Sequence, residues 1–217
     1  MFSLQELFSP KDKFFDLLEA SAEEARASVK ALIQLIENPQ HVSSLEAFAE
    51  SRRKEKQIAS EISDAVCTTF VTALEREDIE ALSQALYKIP KTVEKIGERI
   101  VLAPHLLAGV DLSRHTAMLD GATLNVTTMV NAMRKGWDID EMRAHNAKLQ
   151  AIEGEADRMM LELLKPLYEG NTEPLKALFL KDLFELLEKV IDISFPINFF
   201  SVNVSILGFM PSDFVCI

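Results

Sequence analysis

REDIEALSQALYKIPKTVEKIGERIVLA, residues 76–103, decides the fold. Ile79, Leu82, Leu86, Ile89, Val93, Ile96 and Ile100 recur there at alternating spacings of three and four. That spacing lays one apolar face along an amphipathic helix. Glu77, Asp78 and Glu80 crowd its start, where acidic side chains favourably meet the unpaired N–H groups. Pro90 falls inside the pattern and predicts a kink, and Ala103-Pro104 ends the helix.

The same period extends outward in both directions. Upstream, Phe14, Leu18, Ala22, Ala25, Val29, Leu32 and Ile36 predict a helix from about Pro10 to Glu37, closed by Asn38-Pro39. A second is expected from about Ser43 to Leu74, with Leu45, Phe48, Ile62, Val66, Thr69 and Phe70 inward. Downstream, Asp111 or Ser113 caps a fourth that reaches Lys135 before Gly136. Asp138-Ile139-Asp140-Glu141 reads as a capping box for a fifth, whose stripe is Met142, Leu149, Ala156, Met160, Leu163 and Leu167. A sixth is capped by Thr172, has Pro174 in its first turn, and carries Leu175, Leu178, Leu186 and Ile191. Short connections favour antiparallel neighbours. The fold class is all-α: two three-helix repeats, residues 1–108 and 109–217, side by side.

Composition supports this reading. Seven Gly and eight Pro in 217 residues leave few turns, and 48% hydrophobic with 26% charged residues excludes disorder. The net charge of −11 opposes nucleic-acid binding, which needs a basic footprint. Cys67 and Cys216 are too few for a disulfide framework, and Cys67 is expected as a core thiol. Met1 to Asp16 lacks the apolar run of a secretory leader, so the expected compartment is the cytoplasm.

Acidic residues carry the chemical signal. Glu94-Lys95-Ile96-Gly97-Glu98 and Glu188-Lys189-Val190-Ile191-Asp192 both read E-K-[I/V]-x-[E/D], with two carboxylates four apart on one face. Glu153 borders the stripe of helix five, with Asp157 one turn on. If helices five and six pack antiparallel, Glu153, Asp157, Glu188 and Asp192 meet. Four carboxylates in a small space need a positive partner. An all-oxygen set suits a hard divalent cation, with iron also acceptable. Lys189 and Arg158 offer an alternative neutralisation, and a solvated acidic face needs no ligand at all. His41, His105, His115 and His145 form no pair at helical spacing. Glu141 and His145 are one residue too far apart for the Glu-x-x-His of a di-iron bundle. The run Arg52-Arg53-Lys54-Glu55-Lys56 reads as a solvated helix face.

The stretch Thr69–Arg99, TFVTALEREDIEALSQALYKIPKTVEKIGER, resembles the PhoU-like phosphate transport regulators, distant PhoU relatives encoded beside low-affinity Pit transporters. The family pattern there is an aromatic followed by T-P-x-x-R-E-D-I. Phe70, Thr72 and Arg76-Glu77-Asp78-Ile79 match it, and Ala73 stands at the proline. Ile152-Glu153-x-Glu155-Ala156-Asp157 and Leu187-Glu188-x-x-x-Asp192 are similar to the family's E-x-x-x-D motifs. The likeness covers roughly residues 10 to 192. It implies an all-helical, non-enzymatic, cytoplasmic accessory protein that regulates phosphate uptake by contact with a membrane transporter at its inner face. It also implies iron or zinc clusters held by the E-x-x-x-D pairs, one per repeat. The second repeat keeps Glu153, Asp157, Glu188 and Asp192, and the first keeps only Glu94 and Glu98. Alignment on Phe70 puts Arg52 and Lys56 at the first repeat's upstream carboxylate positions. Alignment on Glu55 leaves Ala59 where Asp belongs. The alternatives are a metal-dependent helical enzyme using the second-repeat acids, or a metal-free helical scaffold.

The likeness stops at the tail. Residues 193–217 contain no Lys or Arg, one acid (Asp213), and five of the thirteen Phe. Pro196, Asn198, Asn203 and the serines make a poor membrane span. The abrupt change reads as an altered C-terminus, with a buried extended segment or a homo-oligomer contact as alternatives.

Overall fold

The computed structural model describes residues 10–39, 45–69, 72, 74–135, 139–170 and 172–194. Six helices follow one another: α1 (Pro10–Glu37), α2 (Glu46–Thr68), α3 (Arg76–Leu102), α4 (Ser113–Met133), α5 (Ile139–Tyr168) and α6 (Pro174–Ser194). One turn of 3-10 helix, Pro104–Leu107, joins α3 to α4. The all-α class is as predicted, and α1 and α3 run over the expected residues. α3 continues through Pro90, which is itself buried.

Every residue of the α3 stripe is buried, from Ile79 at 0% exposure to Ile100 at 0%. This one helix enters two cores. Ile79, Leu82 and Leu86 pack with Phe14 and Leu18 of α1, Ile62 of α2, Met129 of α4 and Leu149 of α5. Ile89, Val93, Ile96 and Ile100 pack with Val29 and Leu32, Phe48, Leu119, Met160, and Leu183 and Leu187 of α6. Fully burying each large apolar side chain contributes about 1.5–3 kcal/mol. Polar contacts pin α4 to α1: Thr127 Oγ1 donates to the Ala22 carbonyl at 3.3 Å, and Arg134 reaches Asp16 and Glu19. Gly97 allows α2 to approach α3, because a Cβ there would stand 3.2 Å from the Phe48 ring.

Several helix ends and faces differ from the sequence reading. α2 is shorter at both ends: it starts at Glu46, and it stops at Thr68 because Thr69 turns to extended backbone with φ −89° and ψ 127°. Asp111 caps α4 by accepting the Ser113 N–H at 2.9 Å. α6 is capped by Glu173 instead of Thr172: its carboxylate accepts the N–H groups of Leu175 and Lys176. Leu175 and Leu178 are exposed, not inward, since the buried face of α6 is Leu180, Leu183, Phe184, Leu187, Val190 and Ile191. Cys67 is exposed too, because Ile62, Ala65 and Val66 turn the inner face of α2 away from it. His41, Phe70, Ala73, Gly136, Asp138 and the tail from residue 195, Cys216 included, lie outside the described residues.

The inner face of α2 also holds a carboxyl group. Between Phe48 and Ile62 the inward positions fall on Ser51 and Glu55, and Glu55 is 0% exposed. Ser21 Oγ donates to Glu55 Oε1 at 2.5 Å. Burial pushes the Glu55 carboxyl up to about 8, with Glu24 adding to the rise and Ser21 opposing it. Since this pKa is raised above the unfolded value near 4.5, the group's contribution to stability is complete below that value. It is lost as pH climbs through about 8. Glu55→Gln is therefore expected to raise stability at pH 9 by on the order of 3 kcal/mol and to change it far less at pH 5. Urea unfolding across this range checks it. Parallel pH curves for the two proteins would contradict the assignment.

Candidate functional site

Antiparallel packing of α5 and α6 brings three acids together. On α5, Leu149, Ala156 and Met160 are buried, which leaves Glu153 half-buried and Asp157 exposed along one flank. On α6, Leu187 and Ile191 point inward, which leaves Glu188 half-buried and Asp192 exposed on the flank toward α5. The Glu188 carboxyl lies in the field of Asp157 across the α5–α6 contact. Burial first, then Asp192, Asp157 and Glu185, holds Glu188 above the usual carboxylate range. Burial and Asp157 do the same to Asp192, while the Lys189 ammonium partly offsets the rise.

The other E-K-[I/V]-x-[E/D] stretch, on α3, meets a different neighbour. Arg52 of α2 donates from Nη1 to Glu94 Oε2 of α3 at 2.5 Å, with the Glu94 side chain only 13% exposed. Glu94, and then Tyr87, raises the Arg52 pKa. Glu98 is exposed one turn beyond Glu94, and Lys56 is exposed one turn beyond Arg52. Arg52 and Lys56 are the residues that the resemblance sets opposite Glu153 and Asp157. Where the second half sets acid against acid, the first sets arginine against acid. Glu94 thus already has its cation.

The donor chemistry of the second half, all oxygen and negatively charged, suits a hard divalent cation or iron. Asp157, Glu188 and Asp192 are the residues that would hold it, with Glu153 alongside. They are adjacent without being arranged around a point: among the described residues, no group of three or more His, Cys, Asp or Glu is placed to hold a metal ion.

Two histidines that the sequence reading set aside for want of a helical partner have specific surroundings. His115 of α4 is buried and stacks on Phe184 at 5.4 Å, and burial, followed by the Arg114 charge, lowers its pKa to about 4. The signal available was its place on the α4 stripe, three residues before Met118 and four before Leu119. His145 lies against Asn125, with Nδ1 and Oδ1 2.5 Å apart.

These helices build a PhoU-like bundle. A crystal structure of a PhoU-like protein from Shewanella oneidensis MR-1 superposes with a TM-score of 0.72 at 16% identity, covering 87% of this chain and 97% of that one. A second structure from the same organism, described as a PhoU-like phosphate regulatory protein, gives 0.72 at 18% identity over 90% and 98%. Among curated sequences, a protein of Rhizobium meliloti (strain 1021) named as a pit accessory protein is 23% identical over 198 residues, 87% of this chain and 90% of that one. UPF0111 protein YkaA of Bacillus subtilis (strain 168) is 20% identical over 123 residues, and the match spans 60% of its length. No protein-family model matches the chain. The resemblance carried by Thr69–Arg99 therefore holds at the level of fold.

If Asp157 raises the Glu188 carboxyl, Asp157→Asn moves the Glu188 midpoint down toward the ordinary carboxylate range. Carbon-detected NMR titration of the side-chain carboxyls reads this directly. An unchanged Glu188 midpoint would show that the two groups do not interact. For the first half, a double-mutant cycle of Arg52→Ala and Glu94→Ala is expected to give a coupling of about 1 kcal/mol. A coupling of zero removes the claim that Arg52 supplies the cation.

Proposed function

We propose that this chain is an accessory protein that regulates phosphate transport, without catalysis of its own, through contact with a membrane phosphate transporter at its cytoplasmic face. The observation that carries the proposal is the alignment to the Rhizobium meliloti pit accessory protein along 87% of the chain. The PhoU-like fold of the phosphate regulatory neighbour supports it. Among the described residues no helix is long and apolar enough to cross a membrane, so contact with a transporter would be made from outside the bilayer. The division into two three-helix repeats belongs to the same proposal, as does the cation requirement of the second repeat. Asp157, Glu188 and Asp192 carry more negative charge than Lys189 offsets. A divalent metal, iron or a basic side chain would each satisfy it.

Deletion of the coding sequence in its own host is expected to change labelled-phosphate uptake several-fold. Reintroduction should restore it, and an affinity-tagged copy should co-purify with a phosphate transporter. Unchanged uptake, with no transporter recovered under cross-linking, would end the proposal.

A further inference from the structure

A stripe of exposed apolar side chains runs into the acidic group on the α5–α6 hairpin. Leu161 is 72% exposed, Tyr168 73%, Leu175 60% and Leu178 58%. Leu161 and Tyr168 follow Asp157 at four and eleven residues, which keeps all three on one flank of α5. On α6, Leu178, Lys181, Glu185, Glu188 and Asp192 follow one another at spacings of three and four, which is again one flank. The two flanks adjoin, since α5 and α6 pack against each other as a hairpin, with the charges of Asp157 and Tyr168 acting across it on Glu188 and on Lys181. Lys181 is itself occupied, with Nζ 2.6 Å from Glu185 Oε1. The surface is thus apolar toward the hairpin tip and acidic about ten residues, or roughly 15 Å of helix, further along. Solitary exposed leucines are ordinary, but a run of them at one hairpin, ending in crowded carboxylates, makes a two-part surface.

The protein itself shows what completes such a surface. At the matching position of the first half, the guanidinium of Arg52 from the adjacent helix meets Glu94. We infer that the α5–α6 stripe docks a basic amphipathic segment of a partner protein, whose apolar residues cover Leu161, Tyr168 and Leu178 while its arginine or lysine meets Asp157, Glu188 and Asp192. Charge complementarity selects this occupant: a second copy of the chain, at −11, would bring its own acidic excess. Bidentate geometry favours arginine over lysine at the acidic end. The inference rests on the regulatory reading above and assigns that contact to one face of the molecule.

The test uses the full chain and a synthetic helical peptide with leucines on its first two turns and two arginines about ten residues on along the same face. Binding is read by fluorescence anisotropy. Expected is saturable binding that weakens about tenfold in Leu161→Ser/Leu178→Ser, and similarly in Asp157→Asn/Glu188→Gln. All four positions are on the flank, so circular dichroism and thermal melting should show intact folding. Glu188→Arg should lose the arginine peptide and bind a version carrying glutamates instead. Binding untouched by the leucine changes, or no rescue by the swapped charges, overturns the inference. So does manganese, iron or zinc binding tightly to the acids and excluding the peptide. A dimer that dissolves in Leu178→Ser, with no peptide binding, gives the stripe to a second copy and overturns it too. Peptide binding can fail while deletion still alters phosphate uptake, so this inference and the functional proposal fall separately.

Discussion

The burial of one helical stripe organises the molecule. The seven apolar residues of α3 are sealed on contact with α1 and α2 along one side and with α6 along another. No core built from the first three helices alone could do this, because Ile79 to Leu86 need Met129 and Leu149 from the second half, and Ile89 to Ile100 need Leu183 and Leu187. The two halves are thus one packing unit in the cores. The flanks of α5 and α6 can carry acids because their apolar faces are already committed inward. Glu153, Asp157, Glu188 and Asp192 sit where they do as a consequence of that register.

The second constraint is electrostatic. A carboxylate at a half-buried helix–helix boundary needs a cation or a proton. The chain uses three answers. Glu94 receives a guanidinium from Arg52. Glu55, fully buried, takes a proton and a hydrogen bond from Ser21. Glu188 sits in the field of Asp192 and Asp157, which with burial holds its carboxyl above the usual range. The last presents its charge on the hairpin that carries exposed Leu161 and Leu178. That juxtaposition is why the regulatory contact is assigned to the α5–α6 hairpin and not to the first half.

Much of this was legible in the letters. The period of three and four named the buried face of α3 residue by residue and that of α1 as far as Leu32, because a long apolar stripe leaves one way to pack; at the end of α1 it chose Ile36, which is half-buried, where Leu35 is buried. It failed on α6, where Leu175 and Leu178 look like the start of the stripe but precede the register that the core imposes from Leu180 onward. Cap chemistry was readable at Asp111 and misplaced at Thr172, since Glu173 reaches the same N–H groups one residue later. Glu55 was hidden by its charge inside a basic run, although it lies seven residues from both Phe48 and Ile62. Spacing did bring Asp157, Glu188 and Asp192 to one interface. It did not show that Arg52 would reach Glu94, since a pair 42 residues apart is set by how α2 meets α3.

The most direct measurement places a photo-activatable cross-linking residue at position 178 of the full chain in living cells and identifies what it captures by mass spectrometry. The account predicts cross-links from this position to a basic cytoplasmic segment of a phosphate transporter. It also predicts none from a control at position 33, on the α1–α4 side of the bundle. Capture of the transporter from position 33 but not from position 178 would contradict the account.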